Sequence, residues 1–164
     1  MCNDRKVIDD TKGSLTLIDT VPSVPPELGM KWGQLHAPVG AAPVMPVVAS
    51  KPDQKPQIWA ADLRITPDGR FLYTTERNTD KIALFTLAPR TGKLTYVTNF
   101  PTERQPRGIN IDPSGQYLVA SGEKSDRLAV YRVDQANGNL SEPRVYPVGK
   151  GANWIEIVEV REDD

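Results

Sequence analysis

The sequence predicts an all-β fold built from four-stranded antiparallel units, and three observations predict it. The chain is rich in turn formers, with 15 Pro and 12 Gly in 164 residues. From Trp59 onward, short apolar alternations are separated by Pro-Asp-Gly, Thr-Gly, Pro-Ser-Gly and Asn-Gly, the pattern of strands joined by tight turns. Sliding the chain against itself by 46 residues aligns 65–111 with 111–157 without a gap, and eleven of the 47 pairs are identical.

The identities include Pro67 with Pro113, Gly69 with Gly115, Leu72 with Leu118, Asp80 with Asp126, Gly92 with Gly138 and Pro101 with Pro147. In the second unit strands are expected over 108–112, 116–121, 127–133 and 141–147, with turns at Ser114-Gly115, Lys124-Ser125-Asp126 and Asn137-Gly138. A repeat of this length holding four strands is the sequence form of a β-propeller blade, whereas a sandwich domain needs roughly twice as many residues. In chain order, residues 1–20 read as the tail of a preceding blade, with one strand at 15–18. Residues 21–57 contain more than half of the prolines and read as a Pro-rich loop insertion, since proline serves neither a helix interior nor a central strand. Residues 58–104 and 105–150 are the two blade repeats, and 151–164 the final inner strand and C-terminal tail. Phe71 with Tyr117 and Phe85 with Tyr131 keep an aromatic ring across the repeat, and Tyr73, Phe85, Tyr117 and Tyr131 are expected in the core between blades.

Composition narrows the chemistry. Twenty Lys and Arg balance 21 Asp and Glu, so no basic stripe marks a nucleic-acid partner. One Cys and one His cannot build a Cys/His zinc site, and neither a metal nor another cofactor is expected. His36 lies in the proline-rich run away from anything resembling a nucleophile elbow, which disfavours a Ser-His-Asp triad. No run of 18 apolar residues could span a membrane, and acids occupy the start where an export signal needs an apolar core; the expected location is cytoplasmic.

Strand polarity gathers the remaining candidates. In an antiparallel blade the start of the innermost strand and the end of the second lie on one face of the disc. Arg107 starts an inner strand there, and Arg77 ends the second strand of the preceding blade. Glu123 and Lys124 are the positions one repeat on from Arg77 and Asn78, while Trp59, Asp62, Asn153 and Trp154 also begin inner strands. The repeat breaks register here: Arg77 faces Glu123, Arg107 faces Asn153 and Gly108 faces Trp154. Two arginine forks at a concave mouth suit an anionic ligand, with Glu123, Lys124 and Asn153 as further binding candidates. The alternative is structural, an ion pair between Arg77 and Glu123 of adjacent blades with Arg107 packed on a neighbouring ring. Asp68-Gly69 and Asn137-Gly138 need be no more than turns, and Ser121 and Ser125 lack a nearby base.

The runs Trp59-Ala-Ala-Asp-Leu-Arg-Ile-Thr-Pro-Asp-Gly-Arg-Phe-Leu-Tyr, Gln105-Pro-Arg-Gly-Ile-Asn-Ile-Asp-Pro-Ser-Gly-Gln-Tyr-Leu and Val148-Gly-Lys-Gly-Ala-Asn-Trp resemble the C-terminal part of bacterial 6-phosphogluconolactonases of the seven-bladed propeller type. That family also includes fungal lactonizing enzymes. The resemblance implies metal-free hydrolysis of 6-phosphoglucono-1,5-lactone, an anionic sugar lactone, to 6-phosphogluconate in the oxidative pentose phosphate pathway. It also implies catalytic roles for Arg77 and Arg107, which match arginines at the family's mouth: one would bind the phosphate and the other would polarise the lactone carbonyl. Seven blades at about 46 residues each need roughly 320 residues. The chain therefore reads as a partial propeller, about two and a half blades of an expected seven, from a truncated or mis-started gene product with doubtful activity alone. Open blade edges would favour self-association, and a non-catalytic interaction scaffold is the competing reading.

Overall fold

The computed structural model describes residues 3–9, 14–32 and 57–159, with side chains for 20–31 and 57–159. Cys2, His36 and most of the Pro-rich segment lie outside the described residues.

Two four-stranded antiparallel sheets follow the repeat. The first holds β5 (Ala60–Ile65), β6 (Phe71–Glu76), β7 (Lys81–Leu87) and β8 (Leu94–Pro101) in sequential order. The second holds β9 (Pro106–Ile111), β10 (Tyr117–Gly122), β11 (Arg127–Arg132) and β12 (Arg144–Pro147), also in sequential order. The turn between the first two strands of each sheet depends on a glycine. Gly69 and Gly115 both adopt φ +73°, and their amides close onto Thr66 and Asp112 carbonyls at 2.8 Å. A side chain disfavours that left-handed conformation, which explains why glycine recurs at 46-residue spacing.

Pleating then sorts the side chains. Phe71, Tyr73, Ile82 and Leu84 on one face of the first sheet bury against Ile109, Leu118, Ala120, Ala129 and Tyr131 of the second. The small Ala120 and Ala129 leave room for the rings opposite. Each fully buried large side chain contributes about 1.5–3 kcal/mol, so this interface is the main cohesive element between the repeats. The Tyr73 hydroxyl crosses it to the Gly138 carbonyl at 2.6 Å, and the Tyr131 hydroxyl returns to Pro101 O at 2.9 Å. The opposite face of the first sheet buries Leu72, Ala83, Phe85, Leu87 and Leu94 with Val21 and Tyr96, the Phe85 and Tyr96 rings meeting edge to face.

One expected core aromatic is exposed. Tyr117 occupies the repeat position of Phe71, which is 5% exposed, yet Tyr117 is 45% exposed. It lies on the outer face of the second sheet with Tyr146, where no described blade follows. Repeat register fixes which face a side chain occupies, whereas burial depends on a neighbouring sheet.

The flanks depart from expectation too. The single strand expected at 15–18 is β2 (Ser14–Val21), paired antiparallel with β1 (Asn3–Asp9) in a hairpin. The segment expected as a loop carries a 3₁₀ turn at Pro26–Leu28 and the short β3 (Lys31–Trp32), which pairs in parallel with β4 (Gln57–Ile58). The expected final inner strand is absent from 151–159. This segment runs beside β9, accepting Asn110 Nδ2 at Ile155 O (3.2 Å), but no described strand offers it a ladder.

Candidate active site

The site grows from the ends of β6, β9 and β10. A fully buried carboxylate, Glu76, anchors the first of these. Its Oε1 accepts the Trp59 amide at 2.6 Å, and its Oε2 accepts the Asn78 and Thr79 amides at 3.1 and 2.7 Å and the Thr79 hydroxyl at 2.6 Å. Four donors offset the desolvation of the buried carboxylate and fix the strand before Trp59 against the turn after β6. The Arg77 amide then bonds Trp59 O at 3.0 Å, and the Arg77 guanidinium lies 5.6 Å from the centroid of the Trp59 ring. The ring is an electron-rich platform that orients the cation.

The second blade meets this arrangement through its own strand ends. Gly122 is packed so tightly that a Cβ would lie 2.2 Å from Arg104 O, and the next amide, Glu123 N, bonds Gln105 O at 3.0 Å. These contacts set Glu123 beside the start of β9, which carries Arg107. Asp62 ties the two inner strands together: its Oδ2 accepts Ile109 N at 3.1 Å, and its Oδ1 pairs with Arg64 Nη1 at 2.7 Å. Arg64 Nε in turn reaches Asn110 Oδ1, one repeat away, at 3.3 Å.

Arg77 and Arg107 converge. Arg77 Nη2 lies 2.9 Å and Arg107 Nη1 3.2 Å from the same oxygen, Glu123 Oε2. The structural alternative considered for Arg77 and Glu123 thus describes a contact that forms, and Glu123 extends it to Arg107. The ring contact considered for Arg107 belongs instead to Arg77. The Arg77 side chain is 18% exposed, whereas Arg107 and Glu123 are 48% and 39% exposed. Two guanidiniums on one carboxylate leave a net positive charge facing solvent, with both forks within reach of a single phosphate or carboxylate group. Lys124 and Asn153 are exposed, and neither side chain forms a hydrogen bond or ion pair with the three. The Asn153 contribution is its backbone: Gly108 lacks the Cβ that would come within 2.9 Å of Asn153 O. Sequence reasoning passed over Glu76, although its pairing with Gly122 across the repeat marked a break in register.

Comparison with known proteins identifies the family and the fold. Residues 6–157 match the family model described as Lactonase, 7-bladed beta-propeller. The chain is 48% identical over 100 residues to 6-phosphogluconolactonase of Serratia proteamaculans, covering 61% of this chain and 30% of that protein. The Photorhabdus laumondii 6-phosphogluconolactonase gives the same identity and coverage. The chain therefore spans about a third of the length of these relatives. A crystal structure of a Lactobacillus plantarum protein superposes with a TM-score of 0.71 at 23% identity, covering 94% of this chain and 38% of that one, a likeness of fold. By the family model that spans most of its length, the chain belongs to the seven-bladed β-propeller lactonases.

Proposed function

We propose that Arg77 and Arg107 form the anion-binding part of a lactone-hydrolysing mouth, acting on 6-phosphoglucono-1,5-lactone to give 6-phosphogluconate. The convergence of both guanidiniums on one oxygen carries this reading. The relatives named 6-phosphogluconolactonase supply the substrate class. In the reaction water adds to the lactone carbonyl carbon, the ring C–O bond breaks, and the released oxygen takes a proton. Charge develops on the carbonyl oxygen as water adds, and a guanidinium held beside it stabilises that charge more than it stabilises the ground state. The other arginine holds the phosphate. A carboxylate serves as general base toward water. Lys124 and Asn153 act at the rim as binding residues for the sugar phosphate. The reaction belongs to the oxidative pentose phosphate pathway, in the cytoplasm.

Hydrolysis of the lactone by the purified chain, against the spontaneous rate at the same pH, tests this. Acceleration lost in Arg77→Ala and Arg107→Ala supports the assignment. Acceleration unchanged in both variants defeats it.

A second reading, a protein-interaction scaffold, is favoured by the exposed Tyr117 and Tyr146, whose repeat counterparts Phe71 and Phe100 pack in the interface between sheets. That face fits a further blade of the same repeat, supplied by a second copy of the chain. Sedimentation velocity should then show self-association that Tyr117→Glu abolishes; a monomer at all concentrations would count against it.

A further inference from the structure

We infer that Glu123 is an internal counter-anion, exchanged for an incoming oxyanion, and that it thereby lowers the site's affinity for any anion that must displace it. This rests on the anion-binding reading of Arg77 and Arg107. A single carboxylate oxygen serves both arginines, so Glu123 occupies the position a bound anion would take. Its hold is incomplete. Among the described residues only Nη2 of Arg77 is engaged, and the buried Nε has no hydrogen-bond partner, so an oxyanion presenting two oxygens can satisfy more of the fork than Glu123 does. Its hold is also weak, because both partners of the Arg107–Glu123 contact are more than a third exposed and such pairs are strongly screened. Glu123 stands at the end of β10 with its backbone fixed through Gln105 O, so its side chain can rotate away without moving the strand.

Charge decides the exchange. A phosphate group carries about −1.5 to −2 at neutral pH, against −1 for a carboxylate. A doubly charged anion binds the freed arginines more tightly than a singly charged one, while the cost of displacing Glu123 falls on both alike. Glu123 is thus a competitor for the site as well as a support for the unliganded arginines.

The test compares binding of inorganic phosphate and of acetate to the full chain and to Glu123→Gln by calorimetry, with melting curves confirming that both are folded. Glu156→Gln is the control. Glu156 is exposed on the segment beside β9, and its side chain forms no hydrogen bond or ion pair among the described residues. Exchange predicts that Glu123→Gln tightens phosphate about three- to tenfold and tightens acetate by a similar factor. The control should change neither by more than about twofold. Phosphate binding that Arg107→Ala weakens but Glu123→Gln leaves unchanged or weakens would overturn the exchange while sparing the arginine site. Equal tightening by Glu156→Gln would overturn it in favour of general charge repulsion. Absence of phosphate binding in every variant would overturn the arginine site and the exchange with it.

Discussion

Replacing Glu76 by Gln tests whether the site is built on a buried carboxylate. The change keeps shape and volume but turns one of two acceptor oxygens into a donor group. At present Oε1 accepts one hydrogen bond and Oε2 accepts three. Of the two amide orientations, the less damaging keeps the oxygen at the Oε2 position and sets an NH₂ against the Trp59 amide. That removes one bond to a charged acceptor, worth about 1.5–3 kcal/mol, and weakens the other three by removing their charge. The expected loss is about 2–4 kcal/mol, a fall in melting temperature of roughly 4–16 °C for a chain of this size. The assay is thermal unfolding followed by tryptophan fluorescence, with Trp59 adjoining the lost bond. Because Trp59 is also the platform for Arg77, phosphate affinity should fall in the folded variant. A melting temperature within about 2 °C of the parent would refute the reasoning, since it would mean that Glu76 is not the acceptor for these donors.

Gly122→Ala places a Cβ 2.2 Å from Arg104 O, a backbone atom that cannot swing aside, so a loss of at least about 1–3 kcal/mol is expected in denaturant titration. Tyr73→Phe leaves Gly138 O without its buried donor and should cost about 1–3 kcal/mol, measured by the same titration. Asp68 has its pKa lowered to about 2, chiefly by the hydrogen bond from the Thr66 hydroxyl and further by Arg70. The pKa is depressed in the folded state, so its contribution to stability is present above the ordinary value of 3.8 and is lost as pH falls through about 2. Carboxyl NMR should give a midpoint near 2 for Asp68, and Thr66→Val should move it upward.

The two sheets were legible because their causes are local. Gly69 and Gly115 mark the same left-handed turn, and alternating apolar residues set the face of each strand. Other features were hidden because their causes are not local. β1 is the polar run Asn-Asp-Arg-Lys-Val-Ile-Asp, which lacks alternation and is a strand by virtue of its pairing with β2. β3 and β4 join residues 26 apart in sequence, Lys31 with Gln57. Tyr117 has the sequence signature of a core ring, yet only an adjacent sheet would bury it. At the site, strand polarity brought Arg77, Arg107 and Glu123 to one face. That one oxygen would serve both arginines depends on side-chain reach, which spacing does not encode. Glu76 reads as an ordinary exposed strand end until the Trp59 and Thr79 donors close over it.

The most direct test of the convergent-arginine site is a crystal structure of the chain with 6-phosphogluconate. The account predicts an anionic group of the ligand in contact with both Arg77 and Arg107, with Glu123 turned out of its present position. Ligand bound away from both arginines, with the Glu123 contacts intact, would contradict it.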